Sequence, residues 1–383
     1  MAAKSKSKSS AGLRVFGGVY AGKKVFITGH TGFKGAWLTE WLLNLGAKVT
    51  GFSLPPPTQP SLFDQLGLAD RIHHIVGDVR DAQALSAAVM ATQPDFIFHL
   101  AAQPLVRESY RTPVETYDTN VMGTIHLLEA ARNLQKPCAV VCVTTDKCYE
   151  NKEWVHGYRE EDPLGGYDPY SSSKAAAEIA IAAWRRSFFK EHPVKIASAR
   201  AGNVIGGGDW AADRIVPDCI RALQKREVIA VRNKHATRPW QHVLEPLSGY
   251  LWLGAVLAKP NLMDFSADHY CSAFNFGPGH DANRTVAQLV EQLLKHWPGR
   301  WADRSDPKAV HEANLLQLTT DKANALLRWS PAWSFVEAAQ ETVCWYRDTR
   351  SSATASTFRQ LTRKQINFYT SKARQAGVTW AQG

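Results

Sequence analysis

The stretch KVFITGHTGFKGAWLTEWLLN, residues 24–44, decides the fold. It opens with a short apolar strand over residues 24–28, and the glycines that follow have the spacing G-x-x-G-x-x-G before a helix that should end near Asn44. This spacing allows backbone N–H groups and a helix N-terminus to approach a pyrophosphate. An ordinary glycine turn is the alternative, but the flanking strand and helix favour a nucleotide loop. The loop residues that we expect at a dinucleotide are Gly29, Thr31, Gly32, Phe33 and Gly35.

The second predicted strand, residues 48–53, lacks the acid that NAD-binding folds usually place at its end. Ser53 stands there, followed by prolines at 55–57. An acid would hold the ribose hydroxyls, whereas an arginine would accept a 2′-phosphate. Neither follows, so this position leaves the choice between NAD and NADP open. A third strand over residues 72–76 ends before Asp78 and Val79, which we expect at the cofactor, with Asp78 at the adenine edge.

Residues 94–104 contain a fourth buried strand that runs into small residues. Leu100, Ala101 and Ala102 would let the backbone pass close to a dinucleotide. Strands and helical stretches alternate over residues 24–200, which is typical of a parallel sheet covered by helices on both faces. We therefore predict an α/β fold, a doubly wound parallel sheet of the Rossmann type with a smaller C-terminal substrate-binding lobe.

Candidate catalytic residues follow the next predicted strand, residues 139–143. Its continuous apolar run is typical of a strand buried on both faces, and TTDK (144–147) stands at its carboxyl end, where such sheets bind ligands. Tyr170 and Lys174 share one face of an alanine-rich helix. A nearby ammonium favours the phenolate, and lowering a tyrosine pKa from about 10 to about 7 takes roughly 4 kcal/mol. The Tyr-x-x-x-Lys spacing is weak evidence by itself, but its position beside this edge favours catalysis.

The formal charge of +10 is concentrated at the two ends of the chain. Residues 1–24 carry six basic side chains and no acid, and residues 346–383 carry seven basic side chains against one acid, so the body between them is slightly acidic. A basic surface dedicated to nucleic acid is not expected from this distribution. The lysine and serine alternation of residues 4–10 indicates a flexible tail.

The six cysteines show no paired metal-ligand spacing, and several lie in apolar runs, so we expect structural thiols and no metal site. No segment approaches eighteen consecutive apolar residues, and the first twenty residues lack the apolar core of a signal peptide. These features predict a cytoplasmic protein without a membrane partner.

Five motifs occur in the order found in the extended short-chain dehydrogenase/reductases that act on nucleotide sugars, and the chain resembles that family. The motifs are Gly29-x-x-Gly32-x-x-Gly35, His99-Leu100-Ala101-Ala102, Asn120 in TNVxGT, Thr144-Thr145-Asp146, and Tyr170-x-x-x-Lys174. Within the family the chain most closely resembles the 4,6-dehydratases of CDP-glucose, through TGHTGFKG (28–35), TTDKCY (144–149) and AGNVIGGGDW (201–210). The resemblance covers roughly residues 20–375.

The resemblance implies NAD as cofactor, CDP-glucose as substrate and a role in deoxysugar biosynthesis. Tyr170 would remove the proton of the C4 hydroxyl while hydride passes from C4 to NAD. Thr145 would hydrogen-bond that hydroxyl, and Lys174 would lower the tyrosine pKa and hold the nicotinamide ribose. The 4-ketone acidifies the C5–H bond, and Asp146 would then protonate the departing C6 hydroxyl as a general acid. Hydride return to C6 gives the 4-keto-6-deoxy sugar.

Lys147 departs from the wider dehydratase group, where a glutamate at this position acts as the base at C5. An ammonium group cannot be that base. Either Lys147 is held neutral, or it stabilises the enolate while another group moves the proton. A lysine that merely pairs with Asp146 is the remaining alternative. The same lysine occurs in the CDP-glucose branch, so it supports the narrower resemblance and leaves the elimination step open.

The predicted domains are a flexible basic tail over residues 1–22, an NAD-binding domain over 23–200 with a return segment around 236–277, and a nucleotide-sugar lobe with terminal helices over 201–383. The residues expected to bind the substrate are Asn203, Arg214, Arg238 and His242. Arginine suits the diphosphate because its guanidinium binds phosphate oxygens bidentately. The resemblance also implies a homodimer or a dimer of dimers, formed through helices around 121–131 and 174–187.

Three other functions compete with this interpretation. A nucleotide-sugar 4-epimerase uses the same Tyr170, Lys174 and NAD but needs no acid at position 146. Another nucleotide-sugar dehydratase would differ only in the base that it accepts, and spacing cannot reveal contacts to cytosine. A non-catalytic dinucleotide sensor would have no reason to combine Thr145, Asp146, Tyr170 and Lys174.

Overall fold

The structure, a computed structural model, describes residues 15–305, 315–349 and 353–382. Its strands are β1 (Lys24–Thr28), β2 (Lys48–Ser53), β3 (His73–Val76), β4 (Phe96–His99), β5 (Cys138–Val143), β6 (Val194–Ala201), β7 (Val204–Ile205), β8 (Ile229–Val231), β9 (Thr237–Pro239), β10 (Gln241–His242), β11 (Ala273–Phe276), β12 (Asn283–Thr285) and β13 (Trp301–Asp303).

Its α-helices are α1 (Phe33–Asn44), α2 (Leu62–Gln65), α3 (Ala82–Thr92), α4 (Val106–Arg111), α5 (Pro113–Tyr117), α6 (Gly123–Arg132), α7 (Pro169–Ser187), α8 (Ile215–Lys225), α9 (Leu244–Ala258), α10 (Ala267–Tyr270), α11 (Val286–Leu294), α12 (Asp321–Leu327), α13 (Phe335–Asp348) and α14 (Ala355–Gln375). A π-helical turn, Asp118–Met122, joins α5 to α6.

Seven parallel strands form the central sheet, in the order β11-β6-β5-β4-β1-β2-β3. The order reverses direction at β1, where Thr28 lies opposite Phe52 of β2 on one side and His99 of β4 on the other. Chains leave the sheet in opposite directions at such a switch point, and a crevice opens beyond the carboxyl ends of the strands. The predicted doubly wound sheet is confirmed.

Both faces of the sheet are buried because successive strand side chains point in opposite directions. On β5, Val140 belongs to the core formed with α3 and α6, whereas Val141 belongs to the core formed with α1, α9 and the C-terminal helices. Both side chains are fully buried, and each such burial contributes roughly 1.5–3 kcal/mol. The apolar run of β5 therefore anchors the residues that follow it.

The smaller lobe is built after β6 from three two-stranded pairings. β7 pairs with β10 and β8 with β13, both in parallel, while β9 and β12 are antiparallel. The C-terminal helix α14 returns to the sheet domain and packs on α1. The buried Glu40 of α1 joins them, because it forms ion pairs with Arg363 at 2.7 Å and Arg71 at 2.5 Å.

Residues 15–22, directly before β1, are part of the folded core, which corrects the predicted tail over those residues. Residues 1–14 of that tail lie outside the described residues. Val15, Phe16 and Tyr20 are buried, Phe16 stacks on Trp380 at 4.8 Å, and the Tyr20 hydroxyl donates to the carbonyl of Leu251 at 2.6 Å. Aromatic residues in a basic segment thus extend the domain to before residue 22. Among the described residues, no helix combines the length and hydropathy of a membrane span.

Candidate active site

The glycine loop between β1 and α1 is shaped by two glycines that admit no side chain. Gly29 has a φ of 76°, and a Cβ there would lie 2.7 Å from the backbone nitrogen of Ala101. At Gly35 a Cβ would lie 2.1 Å from the carbonyl oxygen of Gly29. α1 begins at Phe33 with Gly32 as its N-cap and no side-chain cap. Its first N–H groups therefore remain available for an anion.

The ends of β2 and β3 carry the residues expected at the adenosine half of a dinucleotide. The Thr31 hydroxyl lies 2.8 Å from that of Ser53 and donates to the carbonyl of Leu54 at 2.9 Å, so it fixes the loop to β2. Asp78 forms an ion pair with Arg80 at 2.6 Å. The carboxylate expected at the adenine edge is thus already paired, while Val79 beside it is buried.

Polar side chains fix the segment after β4. The buried ring of His99 lies between the hydroxyls of Thr28, at 2.7 Å, and Thr124, at 3.1 Å, and burial lowers its pKa to about 3. Asn120, in the π-helical turn, accepts from the N–H of Gln103 and donates to the Ser173 hydroxyl at 2.9 Å. The half-buried residues 100–102 are thereby held beside the glycine loop and α7.

Tyr170 and Lys174 lie buried on the first turns of α7, which Asp168 caps by accepting from the N–H of Ser171 at 2.9 Å. Burial raises the pKa of Tyr170 to about 12, against a hydrogen bond with Thr145 that lowers it. Burial lowers the pKa of Lys174 to about 8, against the charge of Glu178. The structure brings Thr145 and Tyr170 together as predicted.

The charged neighbour that most lowers the Tyr170 pKa is Arg214. The lowering effect expected from Lys174 is not among the main causes in this structure. Asp146 acts in the opposite direction and raises the pKa of the phenol. Arg214 comes from the start of α8 and is held by Asp209 at 3.0 Å, so the smaller lobe contributes a cation to the tyrosine site.

Asp146, Lys147 and Asn203 form a second cluster directly after β5. One carboxylate oxygen of Asp146, Oδ1, accepts from the Thr145 hydroxyl at 2.9 Å and from the Lys147 ammonium at 3.4 Å. The same ammonium lies 3.4 Å from the side-chain oxygen of Asn203. The other oxygen, Oδ2, is buried and has no hydrogen-bond partner among the described residues. A Cβ on Gly202 would lie 2.9 Å from it.

Lys34 and Tyr250 also belong to this site, and sequence reasoning missed both. Burial lowers the pKa of Lys34 to about 8, and the charge of Arg214 lowers it further while that of Asp146 raises it. Its ammonium lies 5.9 Å from the ring centre of Tyr250, whose own pKa is raised by burial and by the charges of Tyr170 and Asp146. The available signal was a lysine inside the glycine motif, at GFKG.

A buried ion pair supports the site from below. Glu178 of α7 and Arg200 of β6 are 3 % and 4 % exposed and lie 2.8 Å apart. Glu178 also accepts from the hydroxyls of Thr144 and Ser198. Burial raises the Glu178 pKa, but Arg200 and these hydrogen bonds outweigh it and lower the pKa overall. Nothing in the sequence spacing indicated this pair.

The predicted substrate residues are not all placed together. Asn203 and Arg214 reach the catalytic clusters, and Arg238 lies on β9 next to Pro239, which faces Gly202. The structure corrects the expectation for His242. Its ring is fully buried between Trp37 and Trp333, at 5.8 Å and 4.8 Å, and burial lowers its pKa to about 3.

No group of three or more His, Cys, Asp and Glu side chains in the described part of the chain is arranged to hold a metal ion.

A family model described as GDP-mannose 4,6 dehydratase matches residues 26–342. The chain belongs to the GDP-mannose 4,6-dehydratase family. One relative in this group, CDP-glucose 4,6-dehydratase of Salmonella typhimurium, is 46 % identical over 335 residues, covering 86 % of this chain and 91 % of the relative. The UDP-glucose 4-epimerase of Mycoplasma pneumoniae is 25 % identical, over 85 % and 97 % of the two chains.

Solved structures show the same fold. The dTDP-glucose 4,6-dehydratase DesIV of Streptomyces venezuelae, solved with NAD and TYD bound, superimposes with a TM-score of 0.72 at 24 % identity, over 85 % of this chain and 98 % of that one. The UDP-glucose 4-epimerase of Thermotoga maritima, solved with UDP-glucose, also gives 0.72, at 20 % identity over 86 % and 100 %.

Proposed function

We propose that this protein is an NAD-dependent lyase that converts CDP-D-glucose into CDP-4-dehydro-6-deoxy-D-glucose and water. The 46 % identity to the Salmonella typhimurium CDP-glucose 4,6-dehydratase supports the substrate. The structural observation that carries the proposal is the position of Asp146 and Lys147 next to the Thr145 and Tyr170 pair. With NAD as the hydride acceptor, oxidation at C4 needs only Tyr170 and its partners from the protein, whereas loss of water needs an acid and a base as well.

The glycine loop fits a dinucleotide. The missing side chains at Gly29 and Gly35 let backbone and helix pack closely, and the uncapped start of α1 suits a pyrophosphate. Lys174, one turn from Tyr170 on α7, would hold a ribose hydroxyl. When bound, NAD would take up hydride from C4 of the sugar and later return it to C6. No acid stands at the end of β2, so the preference for NAD over NADP rests on the family resemblance.

The first proton transfer would be carried by Tyr170. In the protein alone its pKa is about 12, so the group is a phenol near neutral pH. A positive charge close to the ring favours the phenolate, and Arg214 already supplies one. As phenolate, Tyr170 would accept the proton of the C4 hydroxyl while Thr145 holds that hydroxyl. The Asp146 and Lys147 pair would then carry out the elimination of water across C5 and C6.

The substrate diphosphate would be bound by cations of the smaller lobe. Arg214 lies between the lobe and the tyrosine site, and Arg238 lies on the strand beside Gly202. A guanidinium group suits phosphate oxygens because it can donate two parallel hydrogen bonds. Asn203 lies on the same side and contacts Lys147. These residues support a nucleotide-sugar substrate and leave the base to be identified by experiment.

We also propose a cytoplasmic homodimer or dimer of dimers. The cysteines in the described residues are free thiols, as expected in a reducing compartment. The helices assigned to the subunit contact expose apolar side chains, among them Met122 and Ile179. Exposed apolar side chains on these helices would be covered in such a subunit contact.

Product analysis tests the proposed function. The protein and NAD are incubated separately with CDP-, dTDP-, UDP- and GDP-hexoses, and the products are identified by mass spectrometry. Loss of one water from CDP-glucose, and from no other sugar nucleotide at a comparable rate, is the expected result. Interconversion of glucose and galactose forms without a change in mass would make the protein a 4-epimerase.

A further inference from the structure

We propose that Thr144 is a positioning residue for the oxidation at C4. Its hydroxyl ties the end of β5 to Glu178 of α7 and thereby keeps the neighbouring Thr145 in place at Tyr170. This inference rests on the proposed function and goes beyond it, because Thr144 acts through Thr145 and not on the sugar itself.

The side chain of Thr144 faces α7 because it continues the alternation of β5. Val140 and Cys142 belong to the core cluster that includes Ile181 of α7, and Thr144 is the next residue on that face. Its backbone N–H donates to the carbonyl of Ala199 on β6 at 2.9 Å, so the main chain is fixed here. Thr144 is buried, and a buried hydroxyl requires a partner within the protein.

Glu178 provides that partner, and its two carboxylate oxygens serve different strands. Oε1 accepts from the Thr144 hydroxyl at 2.5 Å. Oε2 accepts from Ser198 and from Arg200, both on β6 and both at 2.8 Å. The charge of Arg200 favours the carboxylate form, and a charged acceptor makes stronger hydrogen bonds than a neutral one. The bond from Thr144 is therefore separate from the ion pair and strong enough to fix the end of β5.

Two successive residues after β5 contact α7 at two separate points. Thr145 forms a hydrogen bond with Tyr170, and Thr144 forms one with Glu178. Tyr170 and Glu178 are eight residues apart, which is about 12 Å along a helix, and Lys174 stands midway on the same face. A single contact would let the end of the strand shift along α7, whereas two separated contacts fix its position.

The other bonds of the Thr145 hydroxyl are local. It donates to Asp146 at 2.9 Å and accepts from the backbone N–H of Lys147 at 3.3 Å. These partners are the next two residues in the chain, so they move together with Thr145 and do not tie it to another element. Loss of the Thr144 hydroxyl should therefore let Thr145 shift relative to Tyr170. A misplacement of about 1 Å can cost about 100-fold in rate.

The test isolates the oxidation step with CDP-6-deoxy-D-glucose, which has no leaving group at C6. The C4–H bond breaks and its hydride passes to NAD, the hydroxyl proton goes to Tyr170, and the 4-ketone and NADH are formed. We expect Thr144→Val to lower the initial rate of NADH formation at saturating sugar nucleotide by roughly 10- to 100-fold. The Kd of the sugar nucleotide, measured by calorimetry, should change by less than about threefold.

Thr144→Ser restores the hydroxyl and should bring the rate back to within about threefold of the wild type. Thr144→Ala replaces Thr144→Val in the test if valine prevents folding at this buried position. A rate for Thr144→Ser as low as that for Thr144→Val would contradict the inference, because the hydroxyl would then not be the group that matters.

Ser198→Ala is the matched control. It removes a hydroxyl from the same carboxylate, but from Oε2, on the side of β6. Thr144→Val and Ser198→Ala should lose similar stability in urea unfolding, while Ser198→Ala keeps the rate of NADH formation within about threefold of the wild type. Equal slowing in the two variants would overturn the inference, because both hydroxyls would then serve only the buried ion pair.

A double variant shows whether Thr144 acts through Thr145. Thr145→Ala removes the contact with Tyr170, so adding Thr144→Val to it should slow NADH formation by less than about twofold further. If the second change costs as much as it does in the wild-type background, Thr144 acts by another route and the inference is wrong.

The outcomes also separate this inference from the proposed function. If the wild type and Thr144→Val oxidise CDP-6-deoxy-D-glucose equally fast, the inference is overturned and the proposed function stands. If the wild type forms no NADH from any 6-deoxyhexose nucleotide and removes no water from CDP-glucose, the proposed function is wrong and the inference falls with it.

Discussion

Replacing Glu178 by glutamine should cost far more stability than the same change in an exposed ion pair. Glutamine keeps the shape of the side chain but removes its charge, and this leaves the guanidinium of Arg200 buried without a counterion. The two groups are 3 % and 4 % exposed and 2.8 Å apart. Thr144 and Ser198 lose their bonds to a charged acceptor as well.

The size of the effect follows from this burial. At about 4 Å and an effective dielectric of about 20, two unit charges attract by roughly 4 kcal/mol. Breaking a buried pair on one side typically costs about 3–5 kcal/mol, because the remaining charge is not compensated. We therefore expect Glu178→Gln to lower the free energy of unfolding by about 3–5 kcal/mol. The matched control is Asp264→Asn, which removes an exposed partner of Arg328 at 2.6 Å and should cost no more than about 1 kcal/mol.

Urea unfolding followed by tryptophan fluorescence measures both variants. A double variant, Glu178→Met with Arg200→Met, should regain part of the loss because neither charge is then left alone. Equal losses in Glu178→Gln and Asp264→Asn would refute the reasoning. Glu178 also raises the pKa of Lys174, so the variant should lower that pKa below about 8.

Three further predictions concern the glycine loop, the buried Glu245 of α9 and Tyr170. Gly35→Ala should lower the melting temperature, because its Cβ would lie 2.1 Å from the carbonyl oxygen of Gly29. Gly32→Ala, whose Cβ would make an ordinary contact at 3.5 Å, should keep the melting temperature but weaken NAD binding as measured by calorimetry. Equal melting temperatures of the two variants would contradict this prediction. Burial raises the pKa of Glu245 from 4.5 to about 7, so the folded state binds the proton more tightly than the unfolded state does. The free energy of unfolding should therefore fall by roughly 3 kcal/mol as the pH rises from about 4.5 to about 7. Glu245→Gln should flatten that slope in urea titrations, and an unchanged slope would contradict it. Tyr170→Phe should abolish C4 oxidation, seen as absent NADH absorbance, while exchange of the C5 hydrogen of the product with D2O persists; loss of both would place Tyr170 in the elimination as well.

Local sequence patterns were sufficient for much of the fold. β1 and β2 have the predicted bounds, and α1 ends at Asn44 as expected. An apolar run next to a glycine turn needs little from the rest of the chain to become strand, loop and helix. Tyr170 and Lys174 are one helical turn apart, so their proximity also follows from spacing alone.

Contacts between distant segments were not predictable in the same way. The Lys147 contact with Asn203 and the pairing of Glu178 with Arg200 depend on how β5, β6 and α7 pack. His242 resembles a binding residue in sequence, and only tertiary packing places it between two tryptophans. Lys34 was missed because the glycine motif predicts backbone contacts, whereas the Lys34 ammonium lies near Tyr250 of α9, which is distant in sequence.

The central claim is that one bound sugar is oxidised at C4, loses water and is reduced at C6 in a single site. The most direct measurement uses CDP-glucose with deuterium at C4, incubated with the protein and NAD, with the product examined by NMR and mass spectrometry. The account predicts loss of one water and retention of the deuterium at C6. Loss of the label to solvent, or its return to C4 without loss of water, would contradict it.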